Sequence, residues 1–436
     1  MMSVVILGIG ILNVSLSYFF LKKTSCILIL IHAYWFFWMF LSSLSLTGLF
    51  VPSDFTYYLY LLLLSSVTIG VGFFKIYTFA FLESKQDLKC TSIFKIRGQE
   101  KEKYFFYFLC FFILPIVSFF FIRSIYLQSN SENMLYSDYR SLAYGLLGDS
   151  ILFFKNKYLN YYSLIISPIL FASLFLGVSF FLRFKRIRVL TLSSIILAMD
   201  TLMMLGRFGF YYIIIVLLLV VLIKIFRNRK GIFNIIKFRE VILVGGGIVI
   251  LVFFVGVLRN TKKEFNFKEF VNIYLIDYHT ESFTMFDYEL KNEKSILHER
   301  TYGRASLGGL ERGFSFMLGL LRVPFHIQIE SDAVATYLHK NRLLGYTSDG
   351  KPKEYNAFGS VLFSLYKDGG IPFTIVMGFV FGFLIAKYSK VVISLNAYQL
   401  SLLASLLYIG IFGIFKPVLG DEILLTILFL VFFWRL

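Results

Sequence analysis

Residues 208–226 read FGFYYIIIVLLLVVLIKIF, nineteen positions with one charge, Lys224. An α-helix needs about 20 apolar residues to cross a hydrocarbon core roughly 30 Å thick. The stretch therefore reads as a membrane span. A second apolar run, 189–205, lies just before it, and only Gly206 and Arg207 separate the two. The pair forms a helical hairpin with Arg207 at its tip.

Nine further runs read the same way, the last of them short: 2–21, 25–50, 56–82, 104–127, 158–182, 241–258, 371–386, 391–415 and 423–434. Eleven spans result, with one long polar stretch among them. The expected fold is all-α, a polytopic membrane helix bundle of about 11–12 spans. Its expected parts are a bundle of about eight spans at 1–258, a large outer loop at 259–355 and a C-terminal part of about three spans at 356–436. Composition agrees: the chain is 58% hydrophobic and 19% aromatic, with 53 Phe, and only 16% charged. Soluble domains carry about 25% charged residues. The first run, Met2 to Leu21, has no basic leader and no small-residue cleavage site, so it reads as a first helix.

The net charge of +17 is a topological bias here and does not point to nucleic acid. Basic residues collect on the cytoplasmic side of membrane proteins and meet anionic lipid there. Residues 83–103 hold six Lys or Arg, 183–188 (RFKRIR) four and 227–240 five; Lys22 and Lys23 follow the first run, and Lys387 and Lys390 follow the run at 371–386. With the spans above, all of these fall on one side. The loops between them are poorer: 51–55 has no basic residue, 128–157 has three over a longer stretch (Arg140, Lys155 and Lys157), 206–207 only Arg207 and 416–422 only Lys416. The N-terminus is thus expected outside, the C-terminus inside and the long stretch 259–355 outside. That stretch carries 14 basic and 13 acidic residues and four of the five His. A polar insert of this size on a short-looped membrane protein is usually functional. Within it, 314–329 (FSFMLGLLRVPFHIQI) is apolar enough to lie on or dip into the membrane surface.

No catalytic signature stands out. The three cysteines, Cys26, Cys90 and Cys110, lie outside the long stretch, so no disulfide framework is implied there. No CxxC, HExxH, phosphate-binding loop or GxSxG occurs, and no metal-ligand spacing. What the chain offers is a set of arginines on the outer side.

Arg207 is the sharpest of them. Asp200 precedes it by seven residues, on the same helix face and about 10 Å along the axis. An intramembrane Asp avoids lipid and faces the bundle interior. Arg207 then serves either as an anion contact, or as a structural partner of Asp200, or as an arginine reaching up to water. Arg140 lies in the outer loop YSDYRSLAYGLLG, as an anion contact or a solvated residue. The stretch TYGRASLGGLERGFSF (301–316), with Arg300 just before it, sets Arg304 and Arg312 among four glycines. Glycines let backbone N–H groups approach an anion, and guanidinium forks match phosphate oxygens. Either a diphosphate cradle or a basic loop at the headgroups fits. His326, in RVPFHIQIE, suits proton transfer from a hydroxyl or an interfacial role. Asp277, His279 and Glu281 are bases by type, and sequence does not choose among them. Asp368-Gly369-Gly370 reads as a turn at the membrane face.

The layout resembles the Wzy-type O-antigen polymerases, the oligosaccharide repeat unit polymerases. The likeness lies in the number of spans, the single large loop in the C-terminal half, the Gly206-Arg207 hairpin and the Arg-rich loop. It also lies in the stretch with Asn356, Phe358, Tyr366, Asp368, Gly369 and Gly370 before a glycine-bearing span. Some members carry an Arg-x10-Gly repeat in two outer loops, and this chain lacks that spacing after Arg140, Arg300, Arg304 and Arg312. The resemblance implies a C-type glycosyltransferase fold in a bacterial inner membrane, acting without metal or other cofactor at the periplasmic face. Donor and acceptor would be glycans on undecaprenyl pyrophosphate. A chain-length co-polymerase and a flippase are possible partners besides membrane lipid. Arg207, Arg304 and His326 would take catalytic parts, with Arg140, Arg300, Arg312 and Asp200 binding substrate. An O-antigen ligase shares the fold class. A transporter or flippase of the same lipid-linked sugars would favour repeated halves and short loops.

Overall fold

A computed structural model describes residues 1–81, 92–130, 136–145, 148–206, 208–227, 271–322, 328–356 and 359–435. The run 241–258, the basic positions 228–240, Cys90, Arg207 and His326 lie outside them. The chain is a predominantly helical, membrane-embedded polytopic protein. Six described helical stretches are long and apolar enough to cross a membrane, within 2–24, 26–44, 54–79, 98–129, 156–184 and 361–394. Three shorter apolar helices, Gly209–Ile223, Ala397–Phe412 and Ile423–Arg435, add to them. The helix Arg188–Met203, expected as a span, has 16 residues.

Two expected runs are broken. The run 25–50 forms a helix only over Cys26–Leu44, because Ser45 turns left-handed at φ 48°. The residues after it leave the helix and pair with a strand: Leu49 bridges Gly345, and the Phe50 amide donates to the Leu344 carbonyl at 2.8 Å. The run 391–415 divides into Val391–Ser394 and Ala397–Phe412, with Leu395 at φ 52° between them.

The chain forms two compact units. One comprises Met1–Lys85, Glu264–Lys390 and Ser405–Leu425. Its centre is the pair of helices Asp54–Phe81 and Val361–Ser389, which approach closely at glycines. A Cβ on Gly382 would lie 1.9 Å from the Val67 carbonyl oxygen, and one on Gly378 would lie 2.8 Å from that of Leu63. Gly378 and Gly382 form a GxxxG face, the small-residue pattern by which helices pack in lipid. The helix Val361–Ser389 is broken at Gly369-Gly370, where Gly370 takes φ 64° and ψ −147°. This is the turn read from Asp368-Gly369-Gly370.

The polar stretch builds onto this unit. After the helix Tyr278–Lys291 come the helices Gly308–Leu320 and Glu330–Leu338 and an antiparallel hairpin, Arg342–Tyr346 with Pro352–Tyr355. Asp287 ties the stretch to the start of the helix Asp54–Phe81. Its Oδ1 accepts from the Ser53 amide at 2.9 Å and from the Ser53 and Thr56 hydroxyls at 2.5 and 2.8 Å. Glu289, fully buried, accepts from Ser295, Tyr337 and Arg342 at 2.5, 2.8 and 2.6 Å.

The other unit comprises Gln86–Lys263, Val391–Ala404 and Thr426–Leu436. Its described helices include Ser167–Phe184, Arg188–Met203 and Phe208–Arg227. Of the expected Gly206-Arg207 tip, Arg207 lies outside the described residues, and the chain up to Gly206 leaves the helix. The helix Arg188–Met203 ends, Leu205 takes φ 47°, and the Gly206 amide donates to the Thr201 carbonyl at 2.8 Å.

Candidate functional site

The glycine- and arginine-rich stretch 301–316 does cradle a carboxylate, and the carboxylate is its own. Asp368, fully buried, accepts from the Thr301 hydroxyl at 2.6 Å, the Ala305 amide at 2.9 Å and the Ser306 amide at 2.8 Å. Its neighbour Lys367, also fully buried, donates to the Ile296 carbonyl at 2.8 Å and pairs with Glu330 at 3.2 Å. The stretch before the second glycine-bearing half of the helix is thus the clasp that shapes the arginine loop.

The arginines then sort by partner. Arg304 donates to Glu311 at 2.8 Å and to the Gln328 carbonyl at 2.6 Å. Arg312 forks onto Asp332 at 2.9 and 2.5 Å, with Glu422 at 3.7 Å. Carboxylates therefore already occupy both forks. Arg300 differs: it is exposed, donates to the Tyr366 carbonyl and lies 4.9 Å from the Tyr366 ring centre. It has no ion-pair partner among the described residues.

In the other unit, Arg140 lies 5.5 Å from the Tyr144 ring centre. Asp200 accepts from the Tyr162 hydroxyl at 2.5 Å, so it does turn toward a neighbouring helix. Arg207 and His326 lie outside the described residues.

The three bases that sequence left level are now distinct. They sit where residues 272–277 widen into a π-helical turn leading into the helix Tyr278–Lys291. Such widenings frequently mark functional sites. Asp277 is fully buried; its Oδ2 receives Lys353 at 2.6 Å and the Tyr355 hydroxyl at 2.7 Å, while its Oδ1 is buried without a hydrogen-bond partner among the described residues. His279 stacks on Trp38, ring centres 4.0 Å apart. Its Nδ1 lies 2.6 Å from the Leu275 carbonyl oxygen. A carbonyl only accepts, so Nδ1 carries the proton and Nε2 keeps a lone pair. Burial pushes this imidazole down to about 4, and it stays neutral. Glu281 is half-buried and makes no hydrogen bond among the described residues. Burial, with the Asp277 charge added, pushes its carboxyl up to about 8.

A carboxyl with that affinity is a proton acceptor matched to near-neutral pH. Phe286, five residues further along the helix, lies 5.8 Å from the Tyr366 ring that Arg300 covers. Among the described residues no three His, Cys, Asp or Glu side chains gather as metal ligands.

Sequence reading named Asp277, Glu281 and Arg300 but missed Lys353, Tyr355 and the GxxxG face. The glycines carried a readable signal, two small residues four apart in an apolar run. Lys353 carried none, being 76 residues from its partner. Compared with protein-family models, curated proteins and solved structures, the chain finds a match in none of the three.

Proposed function

We propose that the chain is a membrane glycosyltransferase that joins oligosaccharide repeat units carried on undecaprenyl pyrophosphate, as an O-antigen polymerase does, at the periplasmic face of a bacterial inner membrane. The observation that carries this reading is the company, in one unit with membrane-spanning helices, of a carboxyl and a guanidinium without ion-pair partners among the described residues, Glu281 and Arg300. Glycosyl transfer from a lipid diphosphate asks for both. The acceptor hydroxyl gives its proton to the Glu281 carboxylate and its oxygen bonds to the anomeric carbon. The bond from that carbon to the diphosphate oxygen breaks, and the carrier diphosphate leaves with the electron pair. Arg300 balances the charge that develops on it. Donors preorganised toward developing charge are often the largest part of catalysis. Arg304 and Arg312 take a shaping part, since their forks are filled.

The test uses the full chain in nanodiscs with lipid-linked repeat units, reading the ladder of glycan lengths. Elongation is expected with and without excess chelator. Arg300→Ala is expected to slow it about a hundredfold or more, as loss of one charge-stabilising donor does. Arg304→Ala, at a half-exposed ion pair, changes stability by about 1 kcal/mol or less and keeps the ladder. Arg207→Ala and Arg207→Lys, run beside them, test the sequence reading of that position. No elongation by the unaltered chain, or a normal ladder from both Glu281→Gln and Arg300→Ala, overturns the proposal.

A further inference from the structure

The helix Gly308–Leu320 presents two unlike sides. One side is clamped to the chain. A Cβ on Gly308 would lie 1.9 Å from the Ser331 hydroxyl oxygen, and one on Gly309 would lie 2.2 Å from the Asp421 carbonyl oxygen. Gly313, in line with Met317 and Leu320 on the helix, marks the border of the clamp, its added Cβ 3.2 Å from the Leu425 side chain. The helix's two charged residues are spent within the protein, Glu311 on Arg304 and Arg312 on Asp332 and Glu422. The other side is apolar and bare: Phe314 is 59% exposed, Met317 53%, Leu320 59% and Leu321 69%. Residues 314, 317 and 321 follow the i, i+3, i+7 spacing of a single helical stripe.

We propose that this stripe is seated in a lipid bilayer, making Gly308–Leu320 an interfacial helix that lies along the membrane surface with its apolar side in the acyl boundary. Three features favour lipid as the occupant. The chain is membrane-embedded. Leu425, against which Gly313 packs, belongs to the first turn of the apolar helix Ile423–Arg435. The clamp therefore holds the stripe beside the first turn of an apolar helix. Finally, Arg322 follows the stripe at once and is exposed, placed to carry its charge up into the headgroups on its apolar stem. Within Gly308–Leu320 the charges are one Glu and one Arg, both paired. The seat is thus apolar, and binding does not need anionic lipid. Interfacial helices that use charge instead carry a basic polar face. This inference does not depend on the proposed enzymatic activity.

The test is collisional accessibility by spin labelling of the full chain in nanodiscs. Cys26, Cys90 and Cys110 are replaced by Ser, and single labels are placed through Met317→Cys, Leu321→Cys and, as a control, Asp349→Cys in the exposed turn of the hairpin. Folding of each variant is checked by its elution and thermal unfolding in detergent. At 317 and 321 the ratio of oxygen to nickel-chelate collisions is expected to be severalfold higher than at 349. It should be the same in zwitterionic discs as in discs with added phosphatidylglycerol. Nickel accessibility at 317 and 321 equal to that at 349 overturns the proposal, because the stripe then faces water. Exclusion of both reagents overturns it too, because protein then covers the stripe. Insertion only with anionic lipid overturns the apolar seat.

Discussion

Lys353 reaches Asp277 at 2.6 Å from 76 residues further along the chain, and both side chains are buried. The ion pair fixes the β-hairpin to the π-helical turn. It also leaves one carboxylate oxygen of Asp277 without a hydrogen-bond partner among the described residues. A buried pair of this kind is worth little compared with apolar residues of the same size, but losing one partner strands a charge.

Lys353→Met is therefore expected to destabilise the chain by about 3–5 kcal/mol. The double variant Asp277→Asn with Lys353→Met should recover most of that loss. Unfolding in detergent, followed over the complete double-mutant cycle, gives both values. Equal losses from the single and double variants would show that the pair does not act as a unit.

Glu281 makes stability depend on pH in a set direction. Its carboxyl, ordinarily at 4.5, is held up to about 8 in the folded chain. Between those values the folded state binds a proton that the unfolded state has released, so stability falls as pH rises. The contribution is fully present below 4.5 and gone above about 8. Glu281→Gln, which cannot ionise, should lose less thermal stability than the parent between pH 5 and pH 9. Identical slopes would contradict the environment assigned to Glu281. As the proposed base, Glu281 must be ionised, so elongation should rise through about pH 8.

Asp368→Ala removes three hydrogen bonds and leaves the amides of Ala305 and Ser306 buried without an acceptor. At about 1–3 kcal/mol for each stranded group, a loss of about 3 kcal/mol is expected. Limited proteolysis should then cut within 301–306 in the variant and spare the parent. Equal resistance would mean the loop keeps its shape without the clasp.

Gly382→Ala sets a methyl group 1.9 Å from the Val67 carbonyl oxygen, and the two helices must part to admit it. Overpacking of this kind costs about 1–3 kcal/mol, read as a lower midpoint of thermal unfolding. Gly8→Ala is the control, since nothing lies within 4 Å of its added Cβ. Matching midpoints for the two variants would deny the glycine contact its structural part.

Membrane character and the position of most helices were legible in the sequence because lipid imposes one rule, a long apolar run, at every span. The runs misjudged in extent fail at residues whose apolar neighbours hide a turn. Leu395 and Leu49 look like span residues, yet one sits at φ 52° and the other bridges Gly345. The candidate site was legible as a list of residues but not as a set of pairings. Arg300 and Arg304 are indistinguishable in sequence, and only the placement of Glu311 and Gln328 sets them apart. The readings for Arg304 and Arg312 as phosphate forks took no account of carboxylates 7 and 20 residues further on. Those come into reach only once the chain has folded back on itself.

The clasp at Asp368 also sets a clock. Its carboxylate follows Thr301 by 67 residues, Ala305 by 63 and Ser306 by 62. A ribosome adding about 5–20 residues per second makes the donors roughly 3–13 s before their acceptor exists. During that interval the nascent loop has amides to satisfy and nothing of its own to satisfy them with. A chain stopped before residue 368 presents this arginine-rich segment unclosed, whatever the state of the helices already inserted.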